Sequence, residues 1–176
     1  MKITFLTITI LFISQLSYSQ ITKNSWLVGG GVSFANTIID GENASETINI
    51  AISSNAGYFV LDKLALGTKL SFTSDYIPKT SIKTNFYTVG PFVRYYLFSP
   101  EKVFNIYAQT AFEFKYRNDS EGAIRTFSAL GGPVIFLNQH VALEFNLGYA
   151  NTNFKNNELN IKTIQSGISL QIHLTK

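Results

Sequence analysis

The sequence contains no cysteine. That single absence excludes a disulfide scaffold, thiol chemistry, cysteine-ligated zinc and the lipid-bearing cysteine of a lipoprotein. Charge is scarce as well. Asp, Glu, Lys and Arg make up 14% of the 176 residues, against about 25% in soluble domains. The net charge is only +3 and falls to about +2 once Lys2 is removed with the leader described below. No block of Lys and Arg occurs, so nucleic acid is not an expected partner. After the first 20 residues no apolar run approaches the ~20 residues that a membrane-spanning helix needs.

What the chain has in abundance is aromatic residues, 15 Phe and 9 Tyr. Its mean hydropathy is slightly positive. A chain that is apolar on average yet has no long apolar run must spread its apolar residues out, and alternation along strands does that. The first residues differ. Lys2 gives a positive start, Ile3 to Ile13 forms an apolar stretch, and Ser17 and Ser19 supply small residues before Gln20. This pattern predicts a secretory signal peptide over residues 1–19 and a single domain over 20–176.

From residue 25 onward the period is two. Trp26, Val28, Gly30, Val32 and Phe34 share one face of a first strand. Further strands are expected at about 47 to 60, 64 to 76, 84 to 97, 103 to 116, 123 to 137, 141 to 151 and 161 to 174. Each runs to about 11 to 15 residues, whereas soluble strands usually run to about 5 to 6 and a tilted membrane strand needs about 9 to 11. The polar face is rich in Gly, Ala, Ser and Asn rather than Lys and Glu, which suits a narrow lumen better than a water-facing surface. The apolar face is broad and continuous and suits lipid. The expected fold is therefore all-β: a closed, antiparallel, eight-stranded, up-and-down transmembrane barrel, with Leu70, Val93 and Leu147 turned outward.

Three segments read as short turns, 61–63, 99–102 and 138–140. Those near 36–46, 76–83, 117–122 and 151–160 read as longer polar loops, the asymmetry usual for such barrels. Aromatic residues sort by height. Trp26, Tyr58, Tyr95 and Phe104 lie toward the turn end, and Tyr76, Tyr87, Tyr116, Phe127 and Tyr149 toward the loop end, as two interfacial girdles would.

The stretches Gly-Tyr-Phe-Val-Leu-Asp-Lys-Leu-Ala-Leu-Gly at 57–67, Val-Gly-Pro-Phe-Val-Arg-Tyr-Tyr at 89–96 and Val-Ala-Leu-Glu-Phe-Asn-Leu-Gly-Tyr at 141–149 resemble the outer-membrane β-barrel domain family of Gram-negative bacteria. That family includes PorT-like proteins and small barrels of the OmpA and OmpX type. The resemblance covers nearly the whole mature chain. It implies residence in the cell outer membrane and insertion by the barrel-assembly machinery, and says almost nothing about activity. Members typically end on an aromatic residue that assists assembly; this chain ends Leu174-Thr175-Lys176.

Five charges fall on the lumen face: Lys69, Arg94, Glu113, Lys115 and Glu144. Unpaired charge in a dry interior is very costly. Arg94 is therefore expected to bridge to Glu113 on the neighbouring strand or to Glu144 across the lumen. The five either neutralise one another and fill the barrel or form a polar gate for ions. His140 in a turn and His173 near the end of the last strand are the only histidines. Both fall at the periplasmic end, too far from the outer rim to serve a nucleophile there. No catalytic residue, cofactor or metal site is assigned. Asp40-Gly41-Glu42 and Asn118 to Gly122 read as loop turns. Gly29-Gly30-Gly31 lacks the helix and the Lys-Ser/Thr of a phosphate loop.

The expectation is a monomeric, non-enzymatic outer-membrane barrel with a structural or a surface-recognition role, the latter through its outer loops, with outer-membrane lipid as a partner and an unidentified surface ligand met at those loops. Two alternatives stand beside it: passage of small apolar solutes or ions through the barrel, and a soluble lipocalin-like carrier in the periplasm.

Overall fold

The computed structural model describes residues 21–39, 45–117, 123–153 and 160–174. The leader expected over residues 1–19, the turns at 40–42 and 118–122, and the terminal Thr175-Lys176 lie outside them. Eight strands follow one another: β1 (Trp26–Ile39), β2 (Ser45–Leu61), β3 (Leu64–Ile77), β4 (Ile82–Tyr96), β5 (Phe104–Arg117), β6 (Ala123–Phe136), β7 (Val141–Asn153) and β8 (Asn160–Leu174). Each pairs antiparallel with the next, and β8 returns to β1, closing the barrel.

The register fixes the shape. A path from Trp26 runs across Tyr58, Leu66, Val93, Thr110, Ala129, Tyr149 and Ile164 and lands on Asn36, ten residues along β1 from its start. With a rise of about 3.3 Å per residue and strands about 4.8 Å apart, that stagger tilts the strands by about 40°. The backbone cylinder is then about 16 Å across, just wide enough for side chains to fill.

Alternation sets the two faces. Leu70 (54% exposed), Val93 (45%) and Leu147 (64%) point outward, as do Ile52, Phe72, Phe112 and Ile168. The alternating partners Phe92, Arg94, Tyr96, Tyr107, Gln109 and Glu113 are buried inside. An apolar exterior with a polar and aromatic interior is the inverse of a soluble barrel, and it overturns the soluble-carrier alternative. Both aromatic girdles are present on the outside. Trp26, Tyr95 and Phe104 are exposed at one end, and Tyr76, Tyr87, Tyr116, Phe127 and Tyr149 at the other. Trp26 and Tyr58 meet edge to face at 5.1 Å, and the Tyr58 hydroxyl donates to Asn24 Oδ1 at 3.0 Å.

The expected contrast of turn and loop lengths does not hold. The connections at the end that carries both chain ends are 62–63, 97–103 and 137–140; those at the other end are 40–44, 78–81, 118–122 and 154–159. The connection around 99–102 is longer than any opposite it. The ladder runs on into the polar segments expected as loops: Thr37 pairs with Thr47, Tyr76 with Lys83, and Asn151 with Lys162. Loss of hydropathy marks where a strand leaves lipid, not where it stops pairing, because ladder bonds need only the backbone.

Candidate functional site

The lumen is built in two storeys. Its lower half, at the end with the chain termini, is solid. Leu27, Phe59, Ala65, Tyr96, Tyr107, Val134, Phe136 and Ala142 form one buried cluster there. Ile21 seals it from below, fully buried. The segment before β1 holds Ile21 in place by pairing with the β2–β3 hairpin: Lys63 N–H donates to the Ile21 carbonyl at 3.0 Å, and Asn24 N–H to the Phe59 carbonyl at 2.9 Å. His173 is buried in the same floor, its ring 5.3 Å from Phe136, 5.8 Å from Phe59 and 6.0 Å from Tyr96. His140 sits in the β7-side turn, its Nδ1 3.0 Å from the His173 carbonyl.

Above this floor a charged bridge crosses the lumen. Arg94 on β4 donates from Nη1 to Glu144 Oε1 on β7 at 2.8 Å, and from Nε to Gln109 Oε1 on β5 at 2.8 Å. The Tyr96 hydroxyl donates to Glu144 Oε1 at 3.2 Å, and Ser169 Oγ to Glu144 Oε2 at 3.1 Å. The guanidinium lies 4.5 Å from the centre of the Tyr107 ring, close enough for a cation–π contact. Arg94 is 3% exposed and Glu144 fully buried. A pair so desolvated persists only when its remaining polar atoms also find partners, and these neighbours supply them.

The other charges take different partners from those expected. Glu113 does not meet Arg94. It pairs with Lys69 at 3.2 Å and accepts from Ser128 Oγ at 3.0 Å. The reason is Gly90. In the register Lys69 on β3 lies beside Gly90 on β4, and a Cβ on Gly90 would stand 2.6 Å from the Glu113 Cα on β5. The missing side chain leaves a lane through which Lys69 reaches the strand beyond. The same device recurs at Gly29, which pairs with Asn55 on one side and Gln171 on the other; these two amides bond reciprocally across it at 3.0 and 3.2 Å. Lys115 pairs with Asp75 at 3.4 Å and lies 3.8 Å from the centre of the Phe86 ring. Asp75 is missing from the five charges drawn from the sequence, although period two places it on the face of Lys69. Period two likewise places Asn55 and Gln171 on the polar face, but nothing in the sequence pairs them across Gly29, and Ile21, before the first strand, had no such signal.

Among the described residues the upper half is an open cup. A cavity of about 200 Å³ is lined by hydroxyls such as Ser33, Thr73, Thr88 and Thr126, with the Lys69–Glu113 and Lys115–Asp75 pairs among its walls. Below it a small polar void of about 50 Å³ reaches Arg94 and Gln109, and the aromatic floor lies beneath. No cluster of three or more potential metal ligands occurs among the described residues.

A sequence profile of the family described as outer membrane protein beta-barrel domain matches residues 3–172. No curated protein matches the chain in sequence. Among solved structures, the outer membrane protein OprG from Pseudomonas aeruginosa superposes with a TM-score of 0.61 at 11% identity, over 90% of this chain and 99% of that one. Neisserial surface protein A (NspA) superposes with a TM-score of 0.56 at 14% identity, over 85% of this chain and 99% of that one. Likeness at such identities concerns the fold.

Proposed function

Because the chain belongs to the outer-membrane β-barrel domain family, and so resides in the cell outer membrane, we propose that it is a non-conducting, non-enzymatic barrel whose outward-opening cup and rim recognise a surface ligand. An even strand count leaves both chain ends on the periplasmic side, so the sealed floor faces the periplasm and the cup faces outward. The observation that carries this reading is the Arg94–Glu144 bridge over the floor of Tyr96, Tyr107, Phe59 and Phe136. An ion entering the cup meets a neutralised, hydrogen-bonded crossbar and then a layer of rings. Closure also leaves no unpaired strand edge, which supports a monomer. Outer-membrane lipid is then the surrounding partner and the barrel-assembly machinery the route of insertion.

Passage of small apolar solutes down the lumen is disfavoured by the same feature, since Phe92, Tyr96 and Tyr107 occupy the space such a solute would need. An ion gate would require the buried Arg94–Glu144 pair to part, which is costly in a dry interior. Purified protein in planar lipid bilayers tests the proposal. No channel events are expected over the usual voltage range; steady, reproducible single-channel steps would overturn it.

A further inference from the structure

The outer wall carries a second feature, independent of the cup. Among the described side chains, the charged residues on the outward face of the strands are Lys83, Arg125 and Lys162, all at the loop end. Lys83 lies on β4, but Arg125 and Lys162 lie near one another on β6 and β8, with β7 between them. Arg125 pairs directly with Asn153, and Lys162 with Asn151, so two cations flank two amides on one face. No carboxylate occurs among the described outward residues of β6, β7 and β8. Just toward the membrane lie Phe127 and Tyr149, the upper girdle. Phe112 pairs with Phe127. A groove of about 340 Å³ runs along this wall, lined by Phe112 and Phe127 and by Arg125, Asn151 and Asn153.

That groove is apolar where it borders hydrocarbon and cationic where it meets the headgroup layer. We infer that it is a binding site for a phosphate-bearing lipid of the outer leaflet. An acyl chain lies along Phe112 and Phe127. The phosphate is held by Arg125, whose planar fork suits two phosphate oxygens, and by Lys162. The amides of Asn151 and Asn153 donate to the headgroup. Charge complementarity selects the occupant: exposed cations beside lipid, with no anion beside them on the described outward face, are best met by an anionic headgroup.

Native mass spectrometry of the full barrel in neutral detergent tests this, with a bis-phosphorylated, multiply acylated disaccharide lipid as probe. One lipid should remain bound. Removing its phosphates, or making the double variant R125Q/K162Q, should each cut the bound fraction by about tenfold, the loss expected for charge-assisted hydrogen bonds. K83Q should leave it unchanged. Heat-modifiable gel mobility reports whether each variant is folded. Should the double variant fail to fold, the comparison of phosphorylated and dephosphorylated lipid on the unaltered protein still decides. Equal retention of both lipids, or undiminished binding by the folded double variant, overturns the site. Displacement of the lipid by an equal concentration of inorganic phosphate overturns the lipid assignment in favour of the free anion.

Discussion

Glu144 is the residue on which the interior depends most. It accepts from Arg94, Tyr96 and Ser169 while fully buried. Replacing it with Gln keeps the shape and removes the charge, leaving Arg94 uncompensated. E144Q should therefore lose about 3 kcal/mol of stability. Urea unfolding of the protein in lipid vesicles, followed by the fluorescence of the single tryptophan, Trp26, checks this. The double variant R94M/E144M removes both charges and should lose less than either single change, since an apolar pair of similar volume needs no counter-charge. Additive losses would show that each side chain acts through packing alone. Gly90 matters for the opposite reason. A Cβ there would stand 2.1 Å from the Phe112 carbonyl oxygen, closing the lane between Lys69 and Glu113.

Two strands contain proline in mid-course, each preceded by glycine: Gly90-Pro91 in β4 and Gly132-Pro133 in β6. A closed barrel offers no edge to which proline can be confined, so each proline must leave a neighbour without a donor. The pairing is interrupted accordingly. The β4–β5 ladder skips from Val89↔Phe114 to Phe92↔Ala111, and the β6–β7 ladder from Gly131↔Leu147 to Val134↔Glu144. By contrast, β2 and β3 pair without interruption from Ile48↔Tyr76 to Phe59↔Ala65. The acceptors left without a donor are the Phe112 and Phe145 carbonyls. Each seam, one bond short, should open more readily: amides across the β4–β5 and β6–β7 seams should exchange with deuterium at least about tenfold faster than those at Ile52 and Phe72. Residue-resolved exchange in lipid measures this, and uniform protection around the barrel would refute it.

Taken whole, the described barrel is a cup with a closed base. The absence of native cysteine makes its polarity accessible to labelling. A membrane-impermeant thiol reagent applied to intact cells should modify Thr73→Cys in the cup. It should spare Ala142→Cys in the floor and Leu147→Cys on the lipid face. Labelling of Thr73→Cys only after the outer membrane is permeabilised would reverse the orientation, and efficient labelling of Ala142→Cys would show an open base.

Period two along the chain determined the strands, their faces and the lipid-facing exterior, because alternation is a property of the strand itself and every residue reports it locally. The same period placed Lys69, Arg94, Glu113, Lys115 and Glu144 in the lumen. Which of them meet was decided by the closed barrel. Shear brings Arg94 level with Glu144 across the lumen, and a glycine on the strand between lets Lys69 reach Glu113; both depend on register, which pairs residues far apart in the chain. Ile21 as the floor and the groove beside Arg125 likewise exist only once the cylinder closes, since each is assembled from segments that no local pattern connects.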